Sequence, residues 1–201
     1  PGQFLCIYPR DKSTLLPRPV SICEVREDRE ALRIVYRVAG QGTGEFSKYQ
    51  EGDPIHIMGT LGNGFPLQEA VGKKVFLMGG GIGVPPILQL AKELEADKQI
   101  VVGYRDGNTF LKDDLEKYGK VFVATEDGSA GTRGNVMNAI GENRLEADLI
   151  YACGPMPMLR AVKAYAKEQG IPAWISMEER MACGIGACLG CVCGSKEVDG
   201  H

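Results

Sequence analysis

The chain has 201 residues, of which 44% are hydrophobic, and its 26 acidic and 23 basic residues leave a formal net charge of −3. This length allows one large globular domain or two small ones. The mild charge and the lack of Lys/Arg runs argue against nucleic acid or an anionic membrane surface as a partner. No stretch approaches the ~18 consecutive apolar residues that a membrane span requires.

Cysteine usage predicts a reducing compartment, the cytoplasm. The chain has seven cysteines, an odd number, and Cys6, Cys23 and Cys153 stand singly in apolar, strand-like segments. A disulfide-stapled secreted domain normally has an even number spread through a short chain. The chain begins at Pro1, so only the cysteine usage argues against a cleaved targeting segment.

Residues 1–70 are predicted to form a small antiparallel β-barrel. Short β-rich segments, "QFLCIY", "RPVSICEV", "ALRIVYRV" and "DPIHIM", alternate with charged or glycine-rich turns. One short helix is predicted at "GEFSKY". Short strands separated in this way are typical of a barrel.

Residues 71–177 show the alternation of strand and helix that predicts a doubly wound parallel sheet. The predicted strands are "VFLMG", "IVVGY", "VFVAT" and "DLIYAC". The segment "PPILQLAKELEA" places four apolar residues on one helical face: Ile87, Leu90, Ala91 and Leu94. A second helix, "MPMLRAVKAYAKEQG", is predicted to end at Gly170 as its C-terminal cap.

The glycine-rich turn in "VFLMGGGIGVPPILQL" predicts a diphosphate site between a strand and a helix. Its spacing departs from G-x-G-x-x-G, so a tight turn without a ligand is the alternative. The turn residues are Gly79, Gly80, Gly81 and Gly83. "ACGPMPM" ends another strand at the same sheet edge, where Cys153 either lines a nucleotide site or is a small buried residue.

Two weaker signals lie in the first segment. In "RPVSI", the Arg18 guanidinium suits a diphosphate and the Ser21 hydroxyl suits a ring heteroatom. In "GQGTGEF", Gly42 and Thr43 offer an N–H and a hydroxyl to a phosphate. A surface arginine and an ordinary turn are the simpler readings, because most turn residues serve only the turn.

Residues 178–201 contain the densest chemical signal, "RMACGIGACLGCVC". Three of its cysteines, Cys183, Cys188 and Cys191, have the C-x4-C-x2-C spacing with which plant-type ferredoxins hold a 2Fe-2S cluster. Gly184 and Gly186 allow the backbone to bring amide N–H groups close to sulfur. Structural zinc or free thiols are the alternatives, although zinc sites usually show two separated C-x2-C pairs or nearby histidines.

The fourth ligand of such a cluster is not evident in the chain. Cys193 lies too close to Cys191, since alternate residues of an extended segment point to opposite sides. We therefore expect the fourth cysteine to lie beyond His201, and the alternative is that the cluster is incomplete in this chain.

These motifs occur together in a recognisable order along nearly the whole chain: "PGQF", "RPVS", "GQGTGEF", "GTLGNGF", "MGGGIGVPP", "CGPMPM" and "MEERMACGIGAC". The order resembles the ferredoxin–NADP reductase superfamily, in which a flavin-binding barrel precedes a nicotinamide-nucleotide domain. With the cysteine loop at the end, it most resembles the electron-transfer subunits of class 1B dihydroorotate dehydrogenases, which carry FAD and a 2Fe-2S cluster.

The resemblance implies a role for each matched residue. The flavin would be held by Arg18, Pro19, Val20, Ser21, Val35, Tyr36, Arg37, Gly42 and Thr43. The nicotinamide nucleotide would face Gly79, Gly80, Gly81, Gly83, Cys153, Gly154 and Pro155. The cluster would be bound by Cys183, Cys188 and Cys191, with the family's fourth cysteine about a dozen residues later. Many relatives stack a tyrosine on the flavin where this chain has Val20.

The resemblance also implies a function in pyrimidine biosynthesis. A partner subunit carrying FMN oxidises dihydroorotate, and electrons pass through the 2Fe-2S cluster and FAD to NAD⁺, in a heterotetramer of two subunits of each kind. No acid–base residue is assigned. Alternatives are the corresponding subunit of a ferredoxin–NADP transhydrogenase or a cytosolic hydrogenase, and a non-enzymatic iron–sulfur or zinc regulatory module. Arg105 and Asp106 leave the choice between NADP and NAD open, and the family favours NAD.

Overall fold

The computed structural model describes residues 1–192, so Cys193 and any expectation about later residues lie outside it. The strands in chain order are β1 (Phe4–Tyr8), β2 (Arg18–Val25), β3 (Leu32–Ile34), β4 (His56–Leu61), β5 (Lys74–Gly80), β6 (Asp97–Tyr104), β7 (Lys120–Thr125), β8 (Thr132–Arg133), β9 (Leu149–Cys153) and β10 (Ala173–Ser176). The helices are α1 (Gln41–Phe46), α2 (Val84–Glu93), α3 (Lys112–Leu115), α4 (Val136–Glu142) and α5 (Met156–Gln169). Short 3-10 turns occur at Leu67–Ala70 and Gly81–Gly83.

The first four strands form an antiparallel sheet in the order β3-β2-β1-β4. Helix α1 covers part of this sheet, because Phe46 packs with buried Ile7 and Val20 and meets the ring of Tyr36 edge-on at 6.0 Å. The helix begins three residues earlier than "GEFSKY" predicts, and strand β3 is shorter than the segment "ALRIVYRV".

The other six strands form a parallel sheet in the order β10-β9-β5-β6-β7-β8. Central strand β5 is buried from Val75 to Gly80, as expected for a parallel strand covered on both faces. Helix α2 contributes to the core cluster on one face, and α4 and α5 contribute to the cluster on the other. The predicted fold class, an antiparallel flavin-type unit followed by a doubly wound parallel sheet, is confirmed.

Both predicted helices of the parallel-sheet unit are present. The four residues placed on one face of α2 are at most 2% exposed: Ile87, Leu90, Ala91 and Leu94. Helix α5 ends at Gly170, whose φ of 69° is the left-handed cap that glycine adopts readily. In the described residues no helix combines the length and the apolar character needed to cross a membrane.

Helix α2 joins the two sheets. Cys23 of β2 is fully buried in the same core cluster as the apolar face of α2. The buried Gln89 side chain accepts a hydrogen bond from the Val25 N–H at 2.7 Å, and Lys92 Nζ donates to the Val25 carbonyl at 3.1 Å. Side chains of the second unit therefore complete the backbone hydrogen bonding at the end of β2, as buried polar groups require.

Candidate functional site

A cavity of about 520 Å³ lies between the antiparallel sheet and the carboxyl-end edge of the parallel sheet. Nine of the residues assigned to cofactors line it: Arg18, Pro19, Val20, Ser21, Val35, Tyr36, Arg37, Thr43 and Cys153. The sequence expectation therefore named nine of the twenty residues that line this cavity, and its size and mixed lining suit a large planar cofactor.

Strand β2 supplies one wall of the cavity. Arg18 Nη1 donates hydrogen bonds to the carbonyls of Leu16, at 2.8 Å, and Pro17, at 3.4 Å, which orient the guanidinium. Gly42 does not line the cavity, but it leaves room for this arginine, since a Cβ at that position would stand 2.8 Å from Arg18 Nε. The guanidinium is thus held at the cavity, where a diphosphate is recognised well by a planar charged fork.

The hydroxyl of Thr43 is hydrogen-bonded to the backbone of the turn that precedes α1. Its Oγ1 accepts hydrogen bonds from the Ala39 N–H at 2.9 Å and the Gly40 N–H at 3.1 Å, and it donates to the Gly40 carbonyl at 3.2 Å. These bonds shape the turn beside the cavity. Thr43 lines the cavity, but its hydroxyl is already engaged within the turn.

The glycine-rich turn and the turn after β9 meet at the edge of the parallel sheet. Strands β5 and β9 are neighbours in register, with Gly79 opposite Cys153. A Cβ on Gly83 would stand 2.6 Å from the Gly154 nitrogen and nearer still to the Cys153 carbonyl, so the turns approach too closely for a side chain. The two predicted nucleotide segments therefore form one surface.

Most of the glycine-rich turn lies beside the cavity rather than in its lining. Ile82 lines the cavity, and among the assigned residues of these two turns only Cys153 does so. The others are Gly79, Gly80, Gly81, Gly83, Gly154 and Pro155. Their position at the carboxyl-end edge suits a dinucleotide, and their assignment to nicotinamide binding stays a prediction.

Cys153 presents an uncharged thiol to the site. Burial raises the pKa of this thiol to about 11, although a hydrogen bond with the Ser176 side chain opposes the shift. At neutral pH its sulfur therefore keeps its proton, and Cys153 adds no negative charge to the cavity.

Sequence reasoning missed a second group of lining residues. They come from both ends of the chain and from the turns between: Gly2, Phe4, Ala39, Gly62, Asn63, Ile82, Ser176, Met177, Glu178, Glu179 and Met181. Several of these residues lie in the motifs "PGQF", "GTLGNGF" and "MEERM", which could have indicated in the sequence that they belong to the site. The segment from Ser176 to Met181 leads from β10 along the cavity into the cysteine loop.

The cysteine loop begins two residues after the cavity lining ends. Cys183 Sγ accepts a hydrogen bond from the Cys188 N–H at 3.4 Å. This bond, with further help from the Ile185 amide, lowers the pKa of the Cys183 thiol to about 6. Gly184 and Gly186 both have φ values in the left-handed region, 72° and 79°, which lets the loop fold around the sulfur.

The donor set suits iron, since the thiolate is the form that binds metal. In residues 1–192, however, no three His, Cys, Asp or Glu side chains are grouped so as to hold a metal ion. The assignment of Cys183, Cys188 and Cys191 as ligands stays a prediction supported by their spacing and by the polarised Cys183 thiol.

Comparison with known proteins identifies the family. A model of the iron–sulfur cluster binding domain of dihydroorotate dehydrogenase B matches residues 178–200. The dihydroorotate dehydrogenase B (NAD⁺) electron transfer subunit of Listeria monocytogenes serotype 4b (strain F2365) is 46% identical over 199 residues, 96% of this chain and 77% of that protein. The subunit of the same name from Caldanaerobacter subterraneus subsp. tengcongensis is 44% identical over 201 residues, all of this chain and 79% of that protein.

Solved structures support the same fold. The chain resembles a structure of an NADH-dependent reduced ferredoxin-NADP oxidoreductase with a TM-score of 0.84 and 30% identity, over 95% of this chain and 70% of that one. The ferredoxin reductase of carbazole 1,9a-dioxygenase shares the fold with a TM-score of 0.71 at 20% identity, over 88% of this chain and 59% of that one. By its sequence, its fold and its cysteine segment, the chain belongs to the family of dihydroorotate dehydrogenase B electron transfer subunits.

Proposed function

We propose that the chain passes electrons from an FMN-containing, dihydroorotate-oxidising partner subunit, through a 2Fe-2S cluster and FAD, to NAD⁺ in pyrimidine biosynthesis. One observation carries this proposal. Strand β2, the carboxyl-end edge of the parallel sheet and the segment leading into the cysteine loop all line a single cavity. An electron carrier in that cavity is in reach of a nicotinamide nucleotide on one side and a metal cluster on the other.

FAD would occupy the cavity, and when bound it exchanges single electrons with iron–sulfur centres and an electron pair, as hydride, with nicotinamide. Arg18 and Arg37 supply positive charge for its diphosphate. Ser21 provides a hydroxyl to a ring heteroatom, and Val20 gives an aliphatic contact where relatives place a tyrosine. These residues bind and orient the ring.

NAD⁺ would approach along the surface formed by the glycine-rich turn and the turn after β9. The close approach at Gly83 keeps backbone groups at the start of α2 near this surface, where a diphosphate is favourably bound. The protonated Cys153 sulfur faces the cavity from the same side. Because it is uncharged, the Cys153 side chain would add no electrostatic repulsion to a hydride passing between the two bound groups.

The cluster would be bound by the thiolates of Cys183, Cys188 and Cys191, together with a fourth ligand. We further propose a division of the chain into a flavin unit (1–70), a nucleotide unit (71–177) and a cluster segment (178–201). The working assembly would be a heterotetramer with the catalytic partner, located in the cytoplasm, where reducing conditions keep buried thiols such as Cys6, Cys23 and Cys153 free.

The test is co-purification with the partner under anaerobic conditions, followed by assay of orotate formation coupled to NAD⁺ reduction. We expect one FAD and two irons per chain, and coupled turnover only when both subunits are present. A complex that contains these cofactors but oxidises no dihydroorotate with NAD⁺ would contradict the proposal.

A second candidate is the nucleotide-binding subunit of a ferredoxin–NADP transhydrogenase, favoured by the 30% identity to an NADH-dependent reduced ferredoxin-NADP oxidoreductase. It predicts exchange between NADH, NADPH and reduced ferredoxin without any dihydroorotate requirement. Colourless protein that contains stoichiometric zinc would instead support the regulatory-module alternative.

A further inference from the structure

The ring of Phe4 lies close to both the cavity and the cysteine loop. It lines the cavity, and a Cβ placed on Gly184 of the cysteine loop would lie 3.9 Å from its Cε2. On the opposite edge, a Cβ on Gly62 would lie 2.8 Å from its Cε1, so a side chain there would displace the ring. Phe4 therefore lies between the cavity and the loop.

Strand β1 gives this ring a fixed place. Phe4 is paired with Ser21 of β2, and directly opposite residues of antiparallel strands have Cβ atoms ~4.5–5.5 Å apart. Phe4 and Cys6 are two residues apart and so share one face of the strand. Gly184 of the cysteine loop lies over this face and over the end of β4: a Cβ on Gly184 would stand 2.8 Å from Cys6 Sγ, 3.6 Å from Leu61 Cδ1 and 3.9 Å from Phe4 Cε2.

We propose that Phe4 is a positioning residue that fixes the separation between the flavin and the cluster, an inference that rests on the proposed function. With both groups bound, single electrons would pass between the cluster and the flavin, and Phe4 would neither gain an electron nor form a bond. Its contribution is steric, because a rigid aromatic ring with few rotatable bonds keeps the cysteine loop at a fixed distance from β1. Electron transfer slows steeply as the separation grows, so a displaced loop slows this step selectively.

Two variants disturb the seating of the loop on β1. Phe4→Leu removes the ring but keeps an apolar side chain. Gly184→Ala adds a methyl group 2.8 Å from the Cys6 sulfur and strains the left-handed backbone at Gly184, whose φ is 72°. Phe122→Leu is the matched control, since Phe122 is half-buried on β7 and lies outside the cavity lining.

The first measurement follows the anaerobic complex after mixing with NADH and resolves flavin reduction from cluster reduction, using the visible spectrum and electron paramagnetic resonance. Because electron tunnelling weakens exponentially with the separation of the two centres, we expect the flavin-to-cluster rate to fall several-fold relative to the nicotinamide-to-flavin rate in Phe4→Leu and Gly184→Ala. Phe122→Leu should leave the ratio of the two rates unchanged.

The second measurement does not depend on turnover. Cys6 is 1% exposed beneath the loop, so iodoacetamide should label it slowly in the native complex and faster in Phe4→Leu, as read by peptide mass spectrometry. An unchanged rate ratio in both variants, with native-like labelling of Cys6, would overturn the role of Phe4. If Phe4→Leu does not fold, the rate ratio and Cys6 labelling of Phe4→Met, which keeps more of the side-chain volume, decide in its place. A native complex that transfers electrons internally but never couples dihydroorotate to NAD⁺ would refute the proposed function and leave this inference standing.

Discussion

Replacing Gly83 with alanine should separate the glycine-rich turn from the turn after β9, the two segments that we assign to the nicotinamide nucleotide. The backbone of Gly83 has an ordinary φ of −82°, so an alanine costs nothing in backbone strain. The cost is steric: the new Cβ would stand 2.5 Å from the Cys153 carbonyl carbon and 2.6 Å from the Gly154 nitrogen. Both obstacles are backbone atoms of a neighbouring strand end, which cannot rotate away as a side chain would.

The size of the effect follows from this rigidity. Adding a methylene to a well-packed interior typically costs about 1–3 kcal/mol, and we expect Gly83→Ala to reach the upper end, about 3 kcal/mol. The control is Gly141→Ala in α4, where nothing lies within 4 Å of the new Cβ and the helix should gain up to about 1 kcal/mol.

The assay compares urea denaturation midpoints and NADH-dependent flavin reduction for the two alanine variants and the parent protein. Gly83→Ala should lower the midpoint and slow flavin reduction, and Gly141→Ala should do neither. A Gly83→Ala protein with parental stability and parental NADH reactivity would refute the idea that the two turns are in backbone contact.

Three further predictions test the cofactors and the buried thiols. Cys188→Ser should abolish electron transfer to the partner while NADH still reduces the flavin, as followed by stopped-flow absorbance. Arg18→Lys should weaken FAD binding about 10- to 150-fold, measured by flavin fluorescence, because a charge-assisted hydrogen bond contributes about 1.5–3 kcal/mol and lysine lacks the planar fork. The free energy of unfolding should fall as pH rises from about 9 to about 11. Burial raises the pKa of Cys23 and Cys153 to about 11 while the unfolded thiols ionise near 9.0, so ionisation in this range favours the unfolded state. Urea midpoints measured across this range should fall less in Cys23→Ala than in the parent protein.

Matched variants keep these outcomes interpretable. Ser47→Ala at the C-terminal cap of α1 and Arg160→Lys at an exposed position of α5 should leave electron transfer and FAD affinity at parental values. Full partner reduction by Cys188→Ser would remove Cys188 from the ligand set. Unchanged FAD affinity in Arg18→Lys would show that the guanidinium does not contact the cofactor, and a stability that rises above pH 9 would contradict the assigned burial of the thiols.

The sequence predicted the elements whose patterns are long or unambiguous. Strand β2 matches its predicted range, Arg18–Val25, because its residues are β-rich and bounded by turns, and the apolar residues assigned to α2 are buried as their helical spacing predicted. The strand predicted from "ALRIVYRV" ends at Ile34, however. Val35, Tyr36 and Arg37 leave the sheet to line the cavity, and a β-rich composition does not reveal where strand pairing stops.

The missed part of the site has a similar explanation. Strand β10 has four residues and lies at the edge of the sheet with Trp174 41% exposed, so it has no buried run to mark it. Its last residue, Ser176, and the segment that follows enter the cavity only because β10 pairs in parallel with β9. A long-range pairing of this kind cannot be read from a local pattern. The cysteine spacing was visible locally, but loop conformation and metal binding are coupled, so spacing alone does not fix the ligand geometry.

The junction between the two sheets explains how separate motifs reach one cavity. The residues that we assign to the flavin belong mostly to the antiparallel sheet and its turns, and those that we assign to the nucleotide belong to the parallel sheet. Hydride transfer between the two groups would require their separation and orientation to be held closely. The contacts at the junction suit that demand: Tyr151 donates a hydrogen bond to the Pro66 carbonyl at 2.6 Å, and the buried Gln89 side chain accepts one from the Val25 N–H at 2.7 Å. Breaking a buried hydrogen bond costs free energy, because it leaves an unpaired polar group in the protein interior. The same interactions that stabilise the fold therefore also limit movement between the flavin wall and the nucleotide edge.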